Sequence, residues 1–252
     1  MRECVALAER ASFGLPQATT RAELATVYAH LGDPERAQEL LDVALGIADE
    51  GQPIARRRVM AAKAELQLSS GDLVGAEVTA AETELELLPE SIQGLLIRAR
   101  IVGAQDDQVR AGEMTSEIVA RLRRESVRRF LDEALLLLGT SLGKRAEWEP
   151  AETTLREAWS EADALGHRRV LWEILRELSV VREARGDPGE ASRLRDEAGR
   201  IVLEIASTID DEQLRSSFLG RPEVAEVLPP RSWDRLRGQG EDLGGRQPPA
   251  AG

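Results

Sequence analysis

The sequence predicts an all-α fold, a right-handed α-α superhelix of antiparallel helix hairpins, and three observations carry that prediction. Leucine, alanine, glutamate and arginine dominate while aromatic residues make up only 3% of the chain, a balance that suits long helices and deprives β-strands of the residues they favour. A glycine–aspartate punctuation recurs as "LGDPERA" at 31–37, "SGDLVGA" at 70–76 and "RGDPGEA" at 185–191. Its closing alanine belongs to a longer series, Ala37, Ala76, Ala111, Ala151 and Ala191, spaced 39, 35, 40 and 40 apart. That is the period of a two-helix unit that cannot bury its apolar face alone and stacks on its neighbours.

At the start, "CVALAERASFGLP" aligns with "LDVALGIADEGQP" when Gly14 is set against Gly51 and Pro16 against Pro53. Residues 1–13 are therefore expected to be a half repeat, the second helix of a hairpin. Cys4, Leu7, Ala8 and Ala11 form an i, i+3, i+4, i+7 stripe that a preceding helix would normally help to cover. The expectation is that the chain is the C-terminal piece of a longer protein, or self-associates through residues 1–13.

Five hairpins follow at roughly 18–50, 53–88, 91–124, 126–165 and 168–207, a solenoid over 18–209. In the first, Leu24, Tyr28 and Leu31 keep helical spacing, and Ala37, Leu40, Leu41, Ala44 and Ala48 resume it. Between them Gly32 takes the left-handed position, Asp33 caps the next helix and Pro34 occupies its first turn, where a missing N–H costs nothing. Asp187 and Glu190 repeat the arrangement at capping-box spacing. Gly51-Gln52-Pro53, Pro89 and Gly166-His167 separate units. "FLDEALLLLGTSL", 130–142, is apolar almost all round, as befits a helix between neighbours. Residues 210–228 predict a capping segment on the last repeat: Asp210 caps a short helix, Leu214 and Phe218 pair at i, i+4, and Gly220 and Pro222 close it. From Pro229 to 252, proline and glycine with few apolar residues predict a disordered tail.

Whole-chain properties exclude several functions. A net charge of -12 argues against a general nucleic-acid binder. The single Cys4 forms no internal disulfide, and two histidines supply no tetrahedral zinc set. No apolar run spans a bilayer and no signal peptide opens the chain, so a cytoplasmic protein without membrane contact is expected.

Catalytic signatures are weak. "GTSLGK", 139–144, looks like a phosphate loop but has three residues between its glycines, arginine after the lysine, and a helix before it. Ser141 and Lys144 have the spacing of a penicillin-recognising nucleophile without its partner motifs. His30 and His167 stand near helix ends, where a cation suits the dipole or the ring faces water. The arginine clusters at 55–58 and 121–129 read as solvated, salt-bridged faces, and Trp148, Trp159 and Trp172 as packing between the fourth and fifth units, with a partner anchor as the alternative for one of them. No catalytic, metal or cofactor residue is expected.

Leu24, Ala25, Tyr28, Gly32, Ala37, Leu41 and Ala44 match the ladder of large and small positions in the tetratricopeptide repeat family. The resemblance covers about residues 1–209, in the longer-helix form found in bacterial regulators such as the maltose activator. Lys63 and Arg182 depart from the family's large apolar residue and tyrosine in their units. The resemblance implies a concave face lined by first helices, which nominates Thr26, Glu65, Arg100, Thr140 and Val180, with Arg58, Glu133 and Arg176 nearby, as a groove for a protein or peptide. The chain has no asparagine, so it lacks the clamp by which some members hold a chaperone's C-terminal carboxylate. The segment from 205 also resembles the end of tetratricopeptide arms that follow an ATPase module in bacterial signalling proteins. The sequence thus predicts a non-enzymatic interaction and regulatory arm of a signalling ATPase or transcription regulator. A free-standing scaffold is the alternative, and a nucleotide-binding or hydrolytic enzyme the rival from another class.

Overall fold

The computed structural model of the protein describes residues 14–48, 52–83 and 89–228. The half repeat at 1–13, its self-association and the tail at 229–252 lie outside the described residues. Among those described the chain is helical, with no strand. Ten helices form consecutive pairs: α1 (Gly14–His30) with α2 (Pro34–Ile47), α3 (Pro53–Ser69) with α4 (Leu73–Ala81), α5 (Pro89–Ala104) with α6 (Gln108–Arg124), α7 (Leu131–Lys144) with α8 (Trp148–Leu165), and α9 (Arg168–Ala184) with α10 (Pro188–Ser207). Two short helices end the described chain, α11 (Glu212–Leu219) and α12 (Pro222–Ala225).

Every hairpin turn has one construction. The residue five before each repeat alanine takes the left-handed conformation: Gly32 (φ 78), Gly71 (φ 81), Asp106 (φ 69), Ala146 (φ 60) and Gly186 (φ 81). The following residue caps the second helix. Asp33, Asp72, Asp107 and Asp187 each accept a hydrogen bond from the backbone N–H three positions on, whereas Glu147 makes no such bond. The turn is thus written in glycine three times and imposed twice on residues with a Cβ, where the left-handed region costs about 1 kcal/mol. Packing supplies the reason. Ala37, Ala76, Ala111, Ala151 and Ala191 are all essentially inaccessible, so at every hairpin a methyl sits at the point where the two helices approach.

Each second helix packs on the first helix of the next hairpin, and α1, α3 and α5 pack in series, as do α7 and α9. This stacking winds the first helices onto the inner face. "GTSLGK" lies wholly within α7. A Cβ on Gly139 would come within 2.5 Å of Leu155, and Ser141 Oγ donates to the Gln108 carbonyl at 2.5 Å. Those residue types serve close helix packing. No described helix is long and apolar enough to cross a membrane.

Candidate functional site

The first helices enclose two adjoining cavities of about 440 and 400 Å³. On the wall they share, the first helices of the second to fifth hairpins each carry a charge, and the sign alternates: Glu65 on α3, Arg100 on α5, Glu133 on α7 and Arg169 on α9. Residues 35, 33 and 36 apart in sequence become neighbours because the first helices of successive hairpins lie side by side. Arg100 holds Glu65 through both guanidinium ends, one at 2.8 Å. Arg169 bonds Glu133 and reaches Glu173 on its own helix at 3.3 Å.

The surroundings set how firmly each group holds its charge. Burial pushes the Glu65 carboxyl up, but Arg100, His30 and Arg169 together bring it below the usual carboxylate range. Burial also pushes Glu173 up, and there Arg169 does not offset it, because Glu133 adds a like charge. The His30 pKa is lowered to about 3, first by burial and then by Arg169. His30 was expected at its helix end, as a cation or facing water; it is the last residue of α1 and lines both cavities, and its lowered pKa disfavours the cation. His167 stands at the N-terminal end of α9, 2.7 Å through Nδ1 from Oδ2 of the fully buried Asp132.

The segment after α10 does not stop at the last repeat. It crosses to the first hairpin. Arg36 Nη1 bonds Asp211 at 3.1 Å, Arg221 donates to the His30 carbonyl, and a Cβ on Gly32 would meet the Ser217 carbonyl at 3.2 Å. Phe218 and Ile205 close one cavity, Arg221 and Glu223 the other, and Arg176 reaches Glu226 at 3.1 Å. Leu214, Phe218, Leu219 and Val224 are buried in the main core. The cap of α11 is Asp211, whose carboxylate accepts from Leu214 N–H. The preceding Asp210, expected in that role, is exposed. Asp211 wins because one carboxylate serves both the helix end and Arg36. We call residues 208–228 the strap.

Of the nominated groove residues, Glu65, Arg100, Glu133, Thr140 and Arg176 line the larger cavity. Thr26 lines the second, and with Arg58 it also lines a separate recess beside Phe130. Val180 is 53% exposed and lines none of these cavities. In the fifth hairpin Arg176 lines the larger cavity together with Arg169, Trp172 and Glu173, while Val180 lies beyond it along α9. The repeat register carries Glu65 and Arg100 to Thr140 and Val180, so it does not reach Arg169, which stands near the start of α9. His30 and Arg221 meet only through the strap, for which no repeat gives a signal.

Other expectations resolve simply. Arg123 pairs with Glu157, Arg128 with Glu161 and Arg121 with Glu125, so that cluster is a salt-bridged face. Trp172 is buried in the core, but Trp159 is 39% exposed and does not fill the interface assigned to it. No group of three potential metal ligands occurs among the described residues.

No protein-family model and no curated sequence matches the chain. Among solved structures, BtubC (BKLC) from P. vanneervenii is similar with a TM-score of 0.56 and 20% identity, over 83% of this chain and 91% of that one. A signal transduction ATPase with numerous domains, carrying a tetratricopeptide repeat sensor, from Pyrococcus horikoshii is similar with a TM-score of 0.53 and 14% identity. That likeness covers 92% of this chain and 36% of the ATPase. The fold is that of tetratricopeptide-like repeat solenoids. The chain spans about a third of the ATPase's length, and at these identities the likeness establishes architecture alone.

Proposed function

We propose that the chain is a non-enzymatic interaction and regulatory arm of a cytoplasmic bacterial signalling ATPase or transcription regulator. A protein segment docks on the inner face, and an attached ATPase or effector module reads the outcome. The observation that carries this reading is the strap seated across the inner face by Arg221 on the His30 carbonyl. A face that already holds a short helix of its own chain is shaped for helical peptide, and a partner that binds when the strap is released shifts the chain between two states. The ladder supports the same reading. Its charges are paired with one another, leaving no isolated acid, base or nucleophile of the kind catalysis needs.

The likeness to BtubC, which covers most of both chains, favours a second reading, a free-standing scaffold with no ATPase attached. Sequence immediately upstream separates the two.

A photo-crosslinking residue placed at Thr140 in living cells tests the function, with a second at the exposed Val74 as control. Partner adducts are expected at Thr140, increased by Arg221→Ala, and not at Val74. Adducts confined to Val74, or nucleotide hydrolysis by the purified chain, would contradict the reading.

A further inference from the structure

The larger cavity has a donor-rich end that the ladder does not use. Trp172 and Arg176, one turn apart on α9, line it beside Thr140 and Lys144, one turn apart on α7. Trp172 is 1% exposed, and its indole Nε1 has no acceptor; the buried Nε of Arg176 has none either. A buried donor left unpaired costs about 1–3 kcal/mol, so two in one cavity wall ask for an acceptor. Lys144 adds a cation with no ion pair among the described residues. The carboxylates nearby are engaged: Glu177 and Glu226 by the two guanidinium ends of Arg176 at 2.6 and 3.1 Å, Glu223 by Arg221, and Glu173 by Arg169. Leu96, Leu136 and Leu137 supply an apolar wall. This explains the excess of leucine in α7: its inward leucines face the cavity as well as a neighbouring helix. At about 440 Å³ the space falls within the range of small-molecule sites, which run from roughly 300 to 1,000 Å³.

We propose that this cavity binds a small amphipathic organic carboxylate. Trp172, Arg176 and Lys144 take its carboxylate, and Leu96, Leu136 and Leu137 take its apolar body. Arg221 and Glu223 wall the cavity from the strap side, so the ligand and the closed strap stabilise each other. The site shares Thr140 and Arg176 with the proposed partner groove, but the ligand claim goes beyond that reading and stands whether or not a partner protein is found.

Octanoate is the probe and octan-1-ol its neutral counterpart, titrated calorimetrically into the full chain. A nitrogen–proton correlation spectrum accompanies the titration, with the Trp172 indole signal identified by its loss in Trp172→Phe. One octanoate is expected per chain, with octanol at least about tenfold weaker, as befits loss of charge-assisted hydrogen bonds. The Trp172 indole proton should move downfield, Lys144→Met and Trp172→Phe should each weaken binding about fivefold or more, and Leu137→Trp, which fills the cavity, should abolish it. Equal affinity for octanol, an unmoved Trp172 signal, or undiminished binding in Leu137→Trp overturns the proposal. Should Leu137→Trp not fold, unchanged affinity in Trp172→Phe overturns it alone.

Discussion

Arg36 and Asp211 are 175 residues apart in the chain and form an ion pair at 3.1 Å. One residue belongs to the first turn of α2 in the first hairpin and the other caps α11 in the strap, so the contact joins the two ends of the described array. Nearest-neighbour stacking alone gives a solenoid with independent ends. Here the last element is also a neighbour of the first.

Strap removal therefore acts on more than the last repeat. Truncation after residue 209 uncovers the core surface against which Leu214, Phe218, Leu219 and Val224 are buried, at about 25 cal/mol for each Å² of apolar surface returned to water. Calorimetry is expected to show a lower melting temperature, and small-angle scattering a larger radius of gyration. Truncation after 228 should change neither. Identical behaviour of the two truncations would dismiss the strap as a structural element.

His30 gives the stability curve a defined slope. Its folded pKa is lowered to about 3, against roughly 6.5 in an unfolded chain. Between those values the unfolded state binds the extra proton, so stability falls as pH drops below about 6.5 and continues to fall toward about 3. Asp and Glu side chains of the unfolded chain titrate mainly below about pH 5. Denaturant unfolding at pH 7 and 5.5 thus reads the histidine term, and His30→Gln should flatten that difference. An equally steep slope in the variant would remove His30 from the wall of the cavity.

Glu65 on α3 and Glu173 on α9, beside the ladder's Arg169, should respond with opposite sign. Arg100→Met leaves Glu65 buried without its partner and is expected to cost about 3 kcal/mol or more, while Arg100→Met with Glu65→Leu recovers most of it. Glu173 carries a raised pKa, meaning that its charge is disfavoured in the fold. Glu173→Gln should be neutral or stabilising at pH 7, with the gain vanishing as pH falls below the unfolded value near 4.3. Urea unfolding of the variants checks all of this, and strong destabilisation by Glu173→Gln would contradict the electrostatics described.

Gly139→Ala places a Cβ 2.5 Å from Leu155, whereas Gly143→Ala meets only Val181 at 3.7 Å. The first is expected to destabilise by about 1–3 kcal/mol through overpacking. The second should be neutral or stabilise by up to about 1 kcal/mol from helix propensity. Similar melting temperatures for both would revive a loop-like role for the segment.

What could be read in advance divides along a physical line. Helices, turns and the all-α class come from local rules: Asp33 and Asp187 cap because a carboxylate three residues before an open N–H must accept from it, and Ala37 and its equivalents recur because the hairpin leaves no room there. The turns at Asp106 and Ala146 hid because tertiary packing forces the left-handed conformation on residues that do not advertise it. The ladder was partly visible: register nominated Glu65 and Arg100, with Glu133 as a neighbour, and all three stand on the wall, while Arg169 lies outside that register. Arg221 on the His30 carbonyl was not visible. Contacts between the ends of an array depend on its total superhelical rotation, and small angles at every hairpin accumulate into it.

The central claim is that the strap lies across the inner face against the first hairpin. A crosslink tests it most directly. A Cβ on Gly32 would stand 3.6 Å from Ser217 Cβ, within the roughly 3.5–4.5 Å that a disulfide spans, and Cys4 is the chain's single cysteine. With Gly32→Cys and Ser217→Cys in a Cys4→Ser background, mild oxidation is expected to give an intramolecular disulfide in the monomer, seen by mass spectrometry as one linked peptide. Free thiols after oxidation, or disulfides formed only between chains, would contradict the account.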